Sequence, residues 1–474
     1  MALDAGIGAN SASSSYDVDN SLKLESDNTE RLNLAYPSTG TRTSQTISLW
    51  VKRIKHGSAE CVWETASSDG HETRLFLRFQ TDDTLRISTA TEVIRNTNRK
   101  FRDFAAWYHI VVAWDTTQST ASNRFKMYIN GVEETSFSTS ANMNQNQNTG
   151  AGIGELSIGY SHIDSSAYSR MYVAEFVSLN GQTLTADSFG KTDTNGEWVP
   201  KDVTGLTYGD QDAYLNFSSA SALGDDKGGQ GHDFSVTNIT SVDQATDTPT
   251  NNFCIMNNNS RTNGNIHSEH GGTYVKTDGG AGWVSMNATM GVQSGKWYWE
   301  VHFANDPGDT NTVMIGIAAS DDPWIPHASG GYYLGNVATG GSIGWYFING
   351  GVYNGTGTWT GPSYGETAMV ALDCDNGKLY FGKAGSWQNS SDPAANSNGI
   401  NYVNQFTGSD RPGDFVLPSV SVYQGDEIKY MNFGGYTATS ISSAQSDANG
   451  YGNFEYAPPS GFYALCTKNL AEYG

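Results

Sequence analysis

Basic residues are scarce in this 474-residue chain: 27 Lys and Arg stand against 49 Asp and Glu, for a formal net charge of −22. Affinity for a phosphate backbone comes largely from counterions released by Lys and Arg, so nucleic acid and anionic membrane surfaces are set aside as partners. Cysteine is scarcer still. The four present, Cys61, Cys254, Cys374 and Cys466, lie far apart and form no C-x-x-C pair, which leaves a zinc site or a redox pair without support and predicts buried free thiols. Also missing is any apolar run long enough to span a bilayer, so no membrane insertion is expected. The opening, "MALDAGIGANSASSSYDVDN", has an early Asp and no apolar stretch. It reads as a polar arm rather than a secretory signal, in a chain made in the cytoplasm. No heptad, collagen-like glycine period or short repeat appears, which argues against a fibrous shaft.

What the chain has in quantity is glycine, 54 residues, and aromatics, 12%. With charged residues at only 16%, this is the balance of short strands joined by turns rather than of long surface helices, and it predicts an all-β protein. "TISLWVKR" alternates Ile47, Leu49 and Val51 with Ser48, Trp50 and Lys52, the period of a half-buried strand. "WYHIVVAWD" and "RFKMYING" follow, and Asn-Gly pairs at 130, 180, 349 and 376 end hydrophobic runs, as hairpin turns do. At about 100–200 residues per domain the length suggests two or three, with two preferred. Residues 191 to 250 are turn-rich and end in the polar stretch "SVDQATDTPTNNF". They divide the chain into an arm (1–20), a first domain (21–245) and a second (246–474). Within that stretch "AYLNF" and "DFSVTNI" are candidate strands closing the first domain.

"GKWYWEVHF" raises the question of chemistry. As a strand it puts Trp297, Trp299, Val301 and Phe303 on one face and Lys296, Tyr298, Glu300 and His302 on the other. The uninterrupted apolar face predicts a core strand, and Glu300 and His302 are expected to be a solvated outer pair rather than an acid and base. A retaining glycosidase needs two carboxylates about 5 Å apart. The nearest spacing, Glu60 and Glu64 in "ECVWE", is interrupted by Val62, so no enzyme is expected. "HSEH" at 267 to 270 reads as a polar turn, not half a metal site. In "GDDKGGQGHD", Asp225, Asp226 and Asp233 are candidate oxygen ligands for calcium, set against the plainer reading of an acidic loop. Ligand-facing aromatics are sought on Pro- and Gly-rich loops, where rings stay exposed beside polar tips. "DDPWIPHASGGYY" and "NGTGTWTGPSY" offer Trp324, His327, Tyr332, Tyr333 and Trp359.

From "WYWEV" through "IGIA" and "VALDCDNGKLYF" to "LPSVSVYQGDEIKYMNFG", residues 264 to 435 resemble the SPRY family in order. "KAGSW" stands where that family has an Asn-Gly turn. The resemblance implies an antiparallel sandwich used for binding. "TISLWVKR", "WYHIVVAWD", "FKMYINGVEE", "LSIGYS" and "MYVAEFVSLNGQTLTADSFG", within residues 20 to 190, resemble LamG-like, concanavalin-type lectin and glucanase folds. These sometimes hold calcium; no other cofactor is implied. The expected architecture is two tandem concanavalin A-like (jelly-roll) antiparallel β-sandwiches. The pairing of these halves, with the "TDTPTNNF" bridge and "APPSGFYALCTKNL", resembles virion structural proteins of tailed phages. That implies a virion location, other virion proteins as partners, a homo-oligomer for which a trimer is common, and a tail fibre or adhesin contacting host-surface glycan or protein. A capsid decoration or head-fibre protein is the second expectation and a glycan hydrolase the third.

Overall fold

The computed structural model of the protein describes residues 16–262, 265–278, 282–303, 312–320, 333–336, 341–355, 357–406, 415–423, 427–428, 430–438, 441 and 443–474. They fall into two compact units that divide between Thr250 and Asn251. Both are built of antiparallel sheets packed over apolar cores, and the protein is all-β with tandem sandwiches. Among the described residues no helix is long and apolar enough to cross a membrane.

In the N-terminal unit the first sheet runs Val132–Glu133, Phe125–Ile129, Trp107–Asp115, Ser44–Arg53, Met171–Asn180, Ser21–Leu24, Gln244–Ala245. The second runs Phe137–Ser140, Val93–Lys100, Thr84–Ser88, Arg74–Phe79, Glu60–Ala66, Glu155–Ile158, Arg31–Ala35, Ser235–Thr237. Between them the alternate apolar residues interdigitate, with Trp63 and Trp114 stacked at 6.3 Å. Both candidate closing strands are present, Ala213–Leu215 against Met171–Asn180 and Ser235–Thr237 against Arg31–Ala35. At Asn130-Gly131 both residues have positive φ, 48° and 79°, and Ile129 pairs with Val132 across a two-residue turn. Asn-Gly at 349 and 376 also lies within hairpins. At 180 it does not: Gly181 ends a strand and the chain leaves the sheet.

That departure corrects the half-buried reading of "TISLWVKR", whose strand is buried on both faces. Residues 184 to 208 cross the outer face of the first sheet and set Phe189, Trp198 and Val203 against Val111, Val177 and Tyr214. Covering a face traps its polar groups, and each must then find a partner. Trp50 stacks on His109 at 4.6 Å, Trp198 Nε1 donates to His109 Nδ1 at 2.9 Å, and Lys52 pairs with Asp247 at 2.6 Å. Burial pushes His109 down to about 3, so its ring is neutral.

The C-terminal unit repeats the plan. A six-stranded sheet, in order Met256–Arg261, Trp283–Ala288, Val416–Tyr423, Val313–Ala319, Ser342–Tyr346, Val352–Tyr353, packs on a sheet centred on Lys296–His302 and Thr367–Asp373. Trp297, Trp299 and Val301 are fully buried and Phe303 nearly so, as the alternation requires. The opposite face was expected to be solvated, and the structure corrects this: Tyr298 is 0% and Glu300 1% exposed. Phe454, Phe462 and Ala464 come back over it, and Tyr463–Ala464 adds a parallel strand beside Trp297 and Tyr298. Glu300 accepts four hydrogen bonds, from Tyr298 Oη (2.8 Å), Asn432 Nδ2 (3.3 Å) and the backbone N–H groups of Glu455 and Tyr456 (both 2.8 Å). His302 is half-buried, bonds Thr367 Oγ1 at 3.1 Å, and has its pKa lowered by burial.

Burial outweighs these hydrogen bonds and pushes Glu300 up from 4.5 to about 7. Glu175 in the N-terminal unit, held by the Tyr214 and Tyr16 hydroxyls, is pushed up to about 7 for the same cause. A carboxyl whose folded pKa lies above its unfolded one keeps its proton while the unfolded chain loses it, so its stability contribution is complete below pH 4.5 and is lost as pH rises to about 7. Urea unfolding at pH 4.5 and 8 should therefore show a larger loss of stability in wild type than in Glu300→Gln. Equal slopes would mean that Glu300 ionises as freely in the folded chain as in the unfolded one.

Candidate functional site

Trp324, His327 and Tyr332 lie outside the described residues. Tyr333 is described, and its surroundings form a cluster of half-buried rings on an outward sheet face. The outer face of the six-stranded sheet has Gly316 and Gly344 side by side on neighbouring strands. Without side chains they leave a hollow in which Leu334 sits; a Cβ on Gly344 would lie 2.6 Å from that of Leu334. Two bonds fix the segment, Leu334 N–H to Ser421 Oγ (3.0 Å) and Gly335 N–H to Ser342 Oγ (3.1 Å). Leu334 thereby sets Tyr333 beside Trp283.

Trp283 lies 5.4 Å from Tyr333, 5.6 Å from Tyr346 and 5.4 Å from Tyr423, centroid to centroid. Tyr353 completes the group at 5.7 Å from Tyr333 and 5.9 Å from Tyr346. Trp283 and Tyr423 are a directly opposed cross-strand pair, and Tyr346 lies on the same sheet face. All five are half-buried. Tilted and edge-on packing of this kind fixes ring orientation, each pair adding about 0.5–1.5 kcal/mol beyond area burial. Among the described residues the hydroxyls of Tyr333, Tyr353 and Tyr423 make no hydrogen bond to protein. The result is a rigid aromatic shelf with unengaged hydroxyls, chemistry suited to a sugar face and its hydroxyl groups.

Four of its five rings were missed by searching loops alone. The signal was parity: in "SIGWYFING" Trp345 points to the core and Tyr346 must point out, and Trp283 and Tyr423 hold the same outward positions on their strands. Trp359 is a correction of the opposite kind. It packs half-buried against the core, 6.5 Å from Trp345 and 6.2 Å from Phe381, as a lid on that core rather than an exposed ring.

The acidic loop does not converge on a cation. Asp226 is buried and its carboxylate accepts from the backbone N–H groups of Tyr214, Gly228 and His232. Asp233 accepts from Asp226 N–H at 2.9 Å, and Asp225 pairs with Lys227. Among the described residues no group of three His, Cys, Asp or Glu side chains is placed to hold a metal. In "HSEH" His267–Glu269 end a strand and His270 begins the turn after it, with His267 3.3 Å from Glu269. Glu60 is buried on Arg53 at 2.9 Å and Glu64 on Arg74 at 2.8 Å. The cysteines are free; Cys61, Cys254 and Cys466 are buried and Cys374 half-buried.

The fold and this shelf define a concanavalin A-like β-sandwich protein with an open aromatic sheet face. Residues 26–187 match the family Laminin_G_3, described as the concanavalin A-like lectin/glucanases superfamily. No curated protein matches the chain. Among solved structures, the SPRY domain of human HERC1 is 16% identical, with 37% of this chain and 94% of that one covered at a TM-score of 0.27. A heptameric SAP-like pentraxin from Limulus polyphemus is 16% identical, covering 36% and 80% at 0.26. A Bacteroides ovatus protein described as carbohydrate-binding is 11% identical, covering 39% and 57% at 0.26. These are likenesses of fold alone.

Calcium should leave the first unit unchanged, because its loop carboxylates are spent on backbone N–H groups. Melting temperature with added calcium or with chelator should agree, while Asp226→Ala should lower stability by about 1–3 kcal/mol by orphaning buried donors. A calcium-dependent rise would restore the loop as an ion site.

Proposed function

We propose that this chain is a non-catalytic binding subunit of a tailed-phage particle, a tail fibre or adhesin component, and that the shelf around Trp283 holds host-surface glycan. The observation that carries the binding reading is the five-ring group on an outward sheet face, with three tyrosine hydroxyls that have no protein partner among the described residues. The concanavalin-like fold and the match of residues 26–187 to a lectin and glucanase superfamily are consistent with it. The net charge of −22 favours a partner recognised by stacking and hydroxyl bonding over one recognised by a positive field. The virion role rests on the sequence resemblance of the paired halves to phage structural proteins, with a head-fibre or capsid decoration protein as the alternative.

Removal of a central aromatic anchor from a binding surface commonly costs about 2 kcal/mol or more, some thirtyfold in affinity. Trp283→Ala and Tyr423→Ala should each weaken binding of the purified protein to host cells or their isolated polysaccharide by at least tenfold. Unfolding midpoints close to wild type would show that the sandwich persists. Undiminished binding by both variants would remove the shelf from recognition. Immunogold labelling of particles assigns the place: label at the tail supports attachment and label at the head supports decoration.

A further inference from the structure

The N-terminal unit also has an open sheet face, and its chemistry differs. On the outer side of the second sheet, Arg74, Phe76 and Arg78 alternate outward from one strand, and Arg78 stands directly opposite Arg86 on the next. Phe76 is half-buried with a guanidinium on either side, Arg74 at 4.5 Å and Arg78 at 4.8 Å from the ring centroid. Ser88 is its cross-strand neighbour.

The three arginines are unequally satisfied. Arg74 is buried and pairs with Glu64 (2.8 Å), Asp69 (2.8 Å) and Asp164 (2.6 Å). Arg78 has only the shared Asp164, at 3.1 Å through one terminal nitrogen. Arg86 donates through Nε to Asn96 Oδ1 at 3.1 Å and has no carboxylate partner among the described residues. Its two terminal nitrogens, with Nη1 of Arg78, have no protein acceptor among those residues. Like charges directly opposed on adjacent strands destabilise a sheet. In a chain with 49 acidic and 27 basic residues, a half-buried arginine that has no carboxylate partner among the described residues and is placed against a second arginine is suited to take an external anion.

We propose that the Arg78–Arg86 pair and Phe76 form a second binding site, which takes the carboxylate of an acidic sugar residue such as a uronic or sialic acid. A guanidinium fork matches a planar carboxylate in two parallel hydrogen bonds, and Phe76, with the Arg78 guanidinium held 4.8 Å from its ring centroid, positions that arginine beside Arg86. The neighbouring carboxylates of Asp164 and Asp69, 37% and 62% exposed, would repel a densely charged polyanion while leaving room for one isolated carboxylate. The site deepens the glycan-binding reading but is independent of the Trp283 shelf, which lies in the other unit.

The test is calorimetric titration of the full chain with three probes: trigalacturonate, a hyaluronan tetrasaccharide and 3′-sialyllactose. Each is paired with its carboxyl methyl ester. At least one acid should bind, with its ester at least tenfold weaker. Arg86→Gln, which keeps a partner for Asn96, should weaken that binding at least tenfold, and Arg86→Lys should restore only part of it, since an ammonium lacks the fork. Trp283→Ala should leave it unchanged. Absence of binding by all three acids, equal binding of acid and ester, or no effect of Arg86→Gln would each overturn the site. None of these outcomes bears on the shelf, whose own failure is read by Trp283→Ala on host cells.

Discussion

A β-sandwich has two outward faces, and in each half of this chain the polypeptide that follows the last long strand lies back across one of them. Residues 184 to 208 cover the first sheet of the N-terminal unit, and the C-terminal stretch carrying Phe454, Phe462 and Ala464 covers the sheet built on Lys296–His302. Everything else adjusts to that choice. The covered sheets become middle layers, so their outward side chains must either be apolar or be paired with exact donors and acceptors. His109 between Ser48 and Trp198, Lys52 on Asp247, and Glu300 under two backbone N–H groups are the results. The other two sheets are covered only in part: their strands Glu60–Ala66 and Val313–Ala319 are buried on both faces, and the two candidate surfaces lie where half-buried outward residues remain among the described residues.

The cores were legible in the sequence because alternation is a local property. Trp297, Trp299, Val301 and Phe303 announce their face in one heptapeptide, and "VALDCDNGKLYF" announces its hairpin in twelve residues. The covering segments were not legible, since nothing in "TISLWVKR" says that Trp198, 148 residues after Trp50, will close over the same outer side by stacking on His109, on which Trp50 also stacks. Ser48, Trp50 and Lys52 form a polar-looking face whose polarity is consumed by distant partners. Glu300 failed as a solvated residue for the same reason: its ligands, Asn432, Glu455 and Tyr456, are more than a hundred residues away.

The site was half legible. Loop composition singles out Tyr333, but the candidate shelf is assembled from strand positions 283, 346, 353 and 423, which only the sheet register brings together. Loop aromatics and strand aromatics obey opposite logics. A ring in a Pro- and Gly-rich loop can fold inward, as Trp359 does over Trp345 and Phe381. A ring at an outward strand position has its direction fixed by the pleat, so its exposure depends only on whether that face is covered. Parity read together with covering would thus have found Trp283, Tyr346 and Tyr423 where composition did not.

The two open faces also divide the chemistry of recognition. The C-terminal face is uncharged rings and hydroxyls; the N-terminal one is arginines around a single phenylalanine. On the proposed reading each site makes few contacts and is weak by itself, because ordering and desolvation costs cancel much of what those contacts gain. A repeating polysaccharide changes that balance. It presents the same sugar many times, so a second engagement starts at the effective concentration set by the first, and tight attachment follows from weak sites without any new contact. On the proposed glycan reading, two weak sites of distinct chemistry suit a polysaccharide whose repeat carries both a neutral and an acidic sugar, met in many copies, better than a ligand met singly.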